Sequence, residues 1–274
     1  MKHIARALGD AVRQLQKASD TARLDAELLM AEAFHIDRDK LILSPPDREV
    51  PLRFWSMVER RVAGEPVAYI TGRRAFWNIE LHVGPGALVP RPDSEVLIAS
   101  AVEHFDRNAP ARILDLGTGP GTLLLAALDV WPNATGLGTD LSRQALSYAS
   151  ANARRLEFEG RVKWLQGDWA EGLVETFDLI LCNPPYIAED AKLGAGVREY
   201  EPDEALFAGR EGLDAYRALA PQLPRLLNPG GLAAVEIGFD QADAVTPLLA
   251  RDGLEAQVAN DLAGRPRAIL LTWV

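Results

Sequence analysis

The sequence predicts an α/β protein in which a mostly parallel, seven-stranded sheet carries helices on both faces and follows a small helical bundle. Three observations carry this expectation. The first seventy or so residues repeat apolar side chains at helical spacing. A turn-rich stretch over 72–92 alternates as a strand does. From about residue 96, short apolar strands alternate with helical segments, the pattern of a parallel sheet. The expected organisation is a helical domain over 1–72, a β-hairpin linker over 73–95 and a larger domain over 96–274.

In the helical region, Ile4, Leu8, Val12 and Leu15 share a face, and Leu24, Leu28 and Met30 with Ala31 continue the pattern. Ser19 or Asp20 is expected to cap that second helix. Asp37 should cap a short helix ending at Ser44-Pro45-Pro46. Pro51 suits a helix start, followed by Leu52, Trp55, Val58 and Val62, with Gly64 as the stop. These stripes read as core. Ala75 to Val83 alternates as a strand, breaks at Gly84-Pro85-Gly86 and resumes at Leu88-Val89, which predicts the hairpin.

Beyond it, Arg112 to Leu116, Thr135 to Thr139, Val162 to Leu165, Phe177 to Cys182 and Gly231 to Ile237 are the expected parallel strands. Helices are expected over Leu123 to Leu128, Ser142 to Arg155 and Leu213 to Leu227. Leu254 to Val258 and Pro266 to Val274 are close enough in sequence to pair antiparallel at the sheet edge.

Composition narrows the function. With 274 residues, 48% hydrophobic and 25% charged, the chain can bury a sizeable core unaided. The single cysteine, Cys182, excludes an internal disulfide framework. His3, His35, His82 and His104 are scattered, so no metal site is expected. Early charges and the lack of a run of roughly 18 apolar residues predict neither signal peptide nor membrane span, hence a cytoplasmic protein. A net charge of −10 favours a small-molecule or protein substrate over non-specific phosphate contacts. A monomer is the expected state.

Asp115-Leu116-Gly117-Thr118-Gly119-Pro120-Gly121 joins the first parallel strand to its helix. Glycines let such a loop turn tightly and approach a ligand, an arrangement shared with dinucleotide sites. The preceding acid argues against a pyrophosphate and for a cationic sulfonium or ammonium group. Asp140 closes the next strand, where a carboxylate can accept from ribose hydroxyls. Asp168 and Trp169 end the third, the ring placed to flank an adenine. One such aspartate would read as a turn cap. Three on one rim point to a nucleoside-type cofactor, with Pro120 expected in the first turn of the helix.

Asn183-Pro184-Pro185-Tyr186 follows the fourth strand on the same rim. Elsewhere it would read as a proline turn with a stacking tyrosine. An amide nitrogen is a poor nucleophile because its lone pair is conjugated, by about 18–20 kcal/mol on the scale of the rotation barrier. A rigid turn lets the Asn183 side-chain oxygen and the Pro184 carbonyl accept both N–H hydrogens, aiming the lone pair at a methyl group, while Tyr186 covers the planar group. By itself the turn leaves amide and nucleobase nitrogens open.

Together the two motifs resemble the amino-methyltransferases. Further segments look like the release-factor glutamine methyltransferases, the HemK/PrmC family. These are Gly64-Glu65-Pro66-Val67-Ala68-Tyr69-Ile70-Thr71-Gly72 with Phe76-Trp77, and Val89-Pro90-Arg91-Pro92-Asp93-Ser94-Glu95. Glu201-Pro202 with Ala205-Leu206, Asn228-Pro229-Gly230-Gly231 with Glu236-Ile237-Gly238, and Asp261 to Arg267 extend the likeness over nearly the whole chain. Cys182 stands where Ser or Val is commoner, and Ser94 where Thr is usual.

The resemblance implies a class I, Rossmann-like methyltransferase that takes S-adenosylmethionine, releases S-adenosylhomocysteine and modifies the Gly-Gly-Gln glutamine of class 1 peptide chain release factors. It implies cofactor contacts from Gly117, Thr118, Gly119, Pro120, Gly121, Asp140, Asp168, Trp169 and Asn183. Asn183, Pro184, Pro185 and Tyr186 would hold the glutamine, with Asn183, Pro184 and Tyr186 as the catalytic set. The helical domain would dock the protein, and Pro90 to Glu95 would border the site. A nucleic-acid adenine methyltransferase is the main rival; it would need base flipping and a phosphate-tracking surface. A non-catalytic cofactor-binding module is disfavoured by the intact Asn183 to Tyr186. Another protein's glutamine, such as a ribosomal protein's, stays open.

Overall fold

The structure, a computed structural model, describes residues 2–106, 108–194 and 196–274. It separates into two compact units, 1–73 with 192–201 and 74–191 with 202–274.

The first unit is built from α1 (Lys2–Leu15), α2 (Ala22–Phe34), α3 (Arg38–Leu43), α4 (Leu52–Val62) and α5 (Val67–Thr71). Ile4, Leu8, Leu15, Leu29, Met30, Phe34, Phe54, Val58 and Ile70 share one core. Two faces differ from the sequence pattern. In α2 the buried side is Ala22, Ala26, Leu29, Met30 and Ala33, leaving Leu24 40% exposed. In α4 it is Phe54 and Val58, leaving Leu52 87% and Val62 43% exposed. Both helices carry apolar residues on more than one side, and tertiary packing selects among them.

Thr21, not Ser19 or Asp20, stands at the start of α2, and its hydroxyl donates to the Asp25 carboxylate. Asp25 is buried and also accepts from Arg61 Nε at 2.7 Å, so the charge is paired inside the bundle. Asp37 does precede α3, without a side-chain cap bond. The short α9 (Val197–Tyr200) belongs to this unit by its contacts, where Gly196 leaves no room for a side chain against the Gly64 carbonyl.

The hairpin is β1 (Arg73–Phe76) and β2 (Ile79–His82), so its turn is Trp77-Asn78 rather than Gly84-Pro85-Gly86. Trp77 takes φ +52, and its N–H donates to Glu95 Oε1 at 3.0 Å. Leu88-Val89 forms no strand. The glycines at 84 and 86 instead serve a separate turn, closed from Ala87 N–H to the Gly84 carbonyl.

In the second unit β3 (Arg112–Leu116), β4 (Thr135–Asp140), β5 (Val162–Gln166), β6 (Phe177–Cys182) and β7 (Leu227–Glu236) run parallel. β8 (Leu254–Asn260) and β9 (Pro266–Trp273) complete the order β5-β4-β3-β6-β7-β9-β8, with β9 antiparallel to both neighbours. The chain winds outward from β3 to β5 and then returns to β6 on the other side of β3. That reversal opens a crevice at the carboxyl ends of the strands. The central strands are buried along nearly their whole length, as a sheet covered on both faces requires.

The helices here are α6 (Glu95–Phe105), α7 (Thr122–Val130), α8 (Arg143–Arg155), α10 (Asp214–Leu219), α11 (Leu223–Leu226) and α12 (Ala242–Leu249). The expected single helix over 213–227 is thus two short ones. Pro221 and Pro224 lack the N–H that continuity needs, and β7 already begins at Leu227. α8 starts as expected, with the Ser142 hydroxyl accepting from Ala145 N–H at 3.2 Å. No helix among the described residues is long and apolar enough to cross a membrane.

Candidate active site

Strand register brings the motif-bearing loops to one rim. Leu116 is level with Thr139 on one side and Cys182 on the other, Asp140 with Gln166, and Cys182 with Val235. A cavity of about 360 Å³ opens there. Its wall includes Gly117, Thr118, Gly119, Pro120, Asp140, Asp168, Trp169, Asn183 and Pro185. Gly121, Pro184 and Tyr186 are not among its lining residues.

The glycine loop is held by its own side chains. Asp140 Oδ2 accepts from Gly119 N–H at 2.8 Å, Asp140 Oδ1 from Ser142 N–H at 2.8 Å, and Thr118 N–H donates to the Thr139 carbonyl. Gly117 has φ +70, and a Cβ there would stand 3.3 Å from the Trp169 ring. Gly121 has φ +86, and its Cβ would meet Leu125 at 2.8 Å. Pro120 lies in the turn closed by Gly121 N–H and the Thr118 carbonyl, ahead of α7 rather than in its first turn. Its carbonyl accepts from Asn152 Nδ2 at 2.9 Å, and Asn152 also holds both backbone groups of His82. Asn152 is fully buried on α8 and braces the loop against β2.

The N–H groups of Thr118, Gly119 and Gly121 are therefore already bonded within the protein, and carboxylates of Asp115, Asp140 and Asp168 line the cavity. That inverts the environment a pyrophosphate needs. Burial pushes Asp115 up to about 7, and the nearby Asp140 charge adds to the rise. Asp115 Oδ2 accepts from Thr118 Oγ1 at 2.6 Å and Leu124 N–H at 3.2 Å, whereas Oδ1 has no hydrogen-bond partner among the described residues. An orphan acceptor on the wall of an acid-lined cavity suits a cationic ligand or an N–H donor. Asp140, also raised by burial, keeps one free lone-pair position on each oxygen for vicinal hydroxyls. Trp169, held at φ +48, covers Gly117, while Asp168 is exposed at the cavity mouth. These residues fit a positively charged nucleoside.

The prolines end β6 abruptly and fix the turn after it. Asn183 is half-buried and lines the cavity, and its Nδ2 donates to Ser94 Oγ at 3.2 Å, which leaves Oδ1 as the acceptor of the amide. Tyr186 lies on the β7 side, with its carbonyl accepting from Gln241 Nε2 at 3.0 Å and its hydroxyl 3.4 Å from Glu236 Oε1. Burial and the Glu236 charge raise its pKa, so the phenol stays protonated. Cys182 is buried and its thiol is pushed up by burial and by Asp115 and Glu236, which leaves it unreactive.

Sequence patterns alone did not single out the site roles of Ser94, Asn152 and Glu236. Glu236 was the one with a usable signal, a lone acid closing an otherwise apolar strand on the functional rim. Ser94 lies in the Pro90 to Glu95 stretch that the resemblance places at the border of the site, whereas Asn152 carries no signal, since its partners are remote in sequence.

The sheet order, the aspartate-bearing cavity at the switch point and the Asn-Pro-Pro-Tyr turn that reaches its wall through Asn183 and Pro185 point to a methyltransferase. A methyltransferase-domain family model matches residues 108–250, and the model of the PrmC N-terminal domain matches 6–72. A release factor glutamine methyltransferase of Caulobacter vibrioides is 41% identical over 259 residues, covering 92% of this chain and 89% of its own. One from Cereibacter sphaeroides is 43% identical over 273 residues, covering 97% and 96%. Among solved structures, the T. thermophilus 16S rRNA N2 G1207 methyltransferase in complex with AdoMet and guanosine shares the fold, with a TM-score of 0.50 at 19% identity over 73% of this chain and 49% of its own. The chain belongs to the release factor glutamine methyltransferase family.

Proposed function

We propose that the protein transfers a methyl group from S-adenosylmethionine to the side-chain amide nitrogen of a glutamine, that of the Gly-Gly-Gln motif in class 1 peptide chain release factors. The observation that supports this reading is a half-buried Asn183 whose amide nitrogen is engaged by Ser94, beside a cavity lined by three aspartates. The relatives' names supply the substrate.

When bound, S-adenosylmethionine supplies an electrophilic methyl on a positively charged sulfur. Asp140 would hold its ribose hydroxyls, the Trp169 ring and Asp168 would flank its base, and the Gly117 to Gly121 loop would border it, all but Gly121 on the cavity wall. Asn183 Oδ1 and the Pro184 carbonyl would accept the two N–H hydrogens of the glutamine amide and so hold the direction of its nitrogen lone pair. Proline-stiffened geometry matters because the gain comes from orientation, not from a strong base. Tyr186 packs beside the planar group, Pro185 closes the cavity wall, and one amide proton leaves to solvent. The helical domain docks the protein that presents the glutamine, and Pro90 to Glu95 border the entrance.

Incubation with methyl-labelled S-adenosylmethionine and, in parallel, release factor, its Gln→Ala variant in Gly-Gly-Gln, and duplex DNA tests the reading. Label is expected on the first alone. Label on DNA and none on release factor would reject it in favour of an adenine amino-methyltransferase.

A further inference from the structure

Two prolines make the Asn183–Tyr186 turn stiff, but stiffness alone does not fix where a turn stands against the cavity. Pro184 and Pro185 have no N–H to donate, so the backbone there cannot be tied to the fold as an ordinary turn is. The tie comes one residue later, where the Tyr186 carbonyl accepts from Gln241 Nε2 at 3.0 Å. The second Nε2 hydrogen goes to the Gly212 carbonyl at 3.3 Å. At the other end of the amide, Oε1 accepts from Gly238 N–H at 2.9 Å and from the Tyr216 hydroxyl at 3.3 Å. A side-chain amide can give two hydrogen bonds and take two, and Gln241 makes all four. With a backbone N–H on one side and two carbonyls on the other, its amide has a single workable orientation.

Glycines let the backbone close in on this amide. Gly212 has φ +70, and a Cβ on it would stand 2.3 Å from the Tyr186 carbonyl oxygen and 3.1 Å from Gln241 Nε2. A Cβ on Gly238 would stand 2.8 Å from Gln241 Oε1. Tyr216 is fully buried, and its one hydroxyl proton is shared between Gln241 Oε1 and the Glu236 carbonyl, 3.1 Å away. The turn after β6, the loop after β7, the loop before α10 and the start of α12 thus converge on one side chain. We propose that Gln241 is a positioning residue for the transfer: through the Tyr186 carbonyl it sets where the turn presents Asn183 Oδ1 and the Pro184 carbonyl to the substrate. This rests on the clamp proposed above, which supplies the two acceptors that have to be placed.

Between Tyr186 and Asn183 both prolines lock φ at about −65°, so a shift of the Tyr186 carbonyl is passed along the turn rather than absorbed in it. A misplacement of about 1 Å at reacting groups can cost about 10²-fold in rate. Gln241 also stands at the N-cap of α12, and its own N–H donates to the Gly238 carbonyl at 3.0 Å. With Oε1 on the Gly238 N–H, this reciprocal pair closes the loop between β7 and α12. Closing that loop uses only the oxygen end of the side chain, whereas placing the turn uses only the nitrogen end. A single substitution can therefore separate the two roles.

Gln241→Glu makes that separation. A carboxylate has the same shape, still accepts from Gly238 N–H and Tyr216, and is favourable at a helix N-terminus, but it has no hydrogen for the Tyr186 and Gly212 carbonyls. At saturating cofactor and release factor, kcat is expected to fall about tenfold or more. The KM for release factor and the cofactor Kd are expected to move less than about threefold, and Tm to fall by no more than a few degrees. Gly212→Ala, which drives a methyl against the same carbonyl, is expected to lower kcat in the same way while sparing the cofactor Kd. Unchanged kcat in Gln241→Glu would reduce the residue to a helix cap and overturn the proposal. Should that variant fail to fold, the 15N–1H signals of the Gln241 side chain in the unaltered protein still decide. Both hydrogens are expected to exchange slowly with solvent, and exchange at the rate of a free amide would overturn the anchor. Absence of label on release factor with the unaltered protein would instead overturn the proposed function, whereas the exchange measurement reads the anchor without any substrate.

Discussion

The two loops that meet at the cavity are built on opposite principles. The glycine loop after β3 has little stiffness of its own and is held by others: Asp140 takes the Gly119 N–H, Asn152 takes the Pro120 carbonyl, and Trp169 lies over Gly117. The turn after β6 is stiff by composition, with two prolines, and needs only to be placed, by Ser94 at Asn183 and by Gln241 at the Tyr186 carbonyl. On the proposed function, affinity for a charged nucleoside and orientation of a planar amide would rest on separate hydrogen-bond systems. Damage to one should spare the other.

The largest effect is expected in the second loop. Asn183→Ala should lower kcat about 10²–10³-fold, the scale of losing one preorganised polar contact, with Tm unchanged and cofactor Kd altered only a few-fold. Steady-state kinetics beside calorimetric titration of the cofactor reads both. Asp140→Ala should do the reverse. Losing the ribose acceptors and the Gly119 anchor is expected to raise cofactor Kd about 10²-fold, by the usual 1.5–3 kcal/mol of charge-assisted hydrogen bonds, while kcat at saturation stays within a few-fold. Equal damage to both parameters in either variant would erase the distinction.

A smaller effect is expected at Gly117. Alanine there must hold φ +70 and push on Trp169, so Gly117→Ala should destabilise by about 1–2 kcal/mol and weaken the cofactor about tenfold, measured by denaturant unfolding and titration. The smallest expected change is with pH. Asp115, raised by burial to about 7, should favour a cationic ligand more once ionised. S-adenosylmethionine binding should tighten a few-fold from pH 6 to 8, and S-adenosylhomocysteine, lacking the sulfonium charge, should change less. The sign for stability is opposite. A carboxylate whose folded value is raised above its ordinary 3.8 binds more protons when folded, so its contribution is lost as pH climbs toward about 7. Asp115→Asn should flatten both trends.

The same contrast explains what the sequence could reveal. Arg112–Leu116 and Phe177–Cys182 were legible to the residue, because continuous apolar runs stop at Gly117 and at Asn183-Pro184. Each loop sits in one contiguous segment, so both were visible as motifs. The hairpin turn was misplaced because Trp77-Asn78 lacks the glycine that marked the decoy at 84–86. Met30, Ala31 and Val58 are in the core as expected, but Leu24, Leu52 and Val62 mimic core positions that packing leaves in solvent. The bracing by Asn152 and the Asn183–Ser94 bond had no local signature, since these contacts exist only once remote strands and helices are assembled. The return of 192–201 to the helical unit likewise leaves no trace in periodicity.

The acceptor amide is the central claim, and fragment mass spectrometry of treated release factor tests it most directly. A single methyl is expected on the side-chain nitrogen of the Gly-Gly-Gln glutamine with the unaltered protein, and only a small fraction of that yield in the same time with Asn183→Ala. A methyl on any other residue, or an undiminished yield with Asn183→Ala, would contradict it.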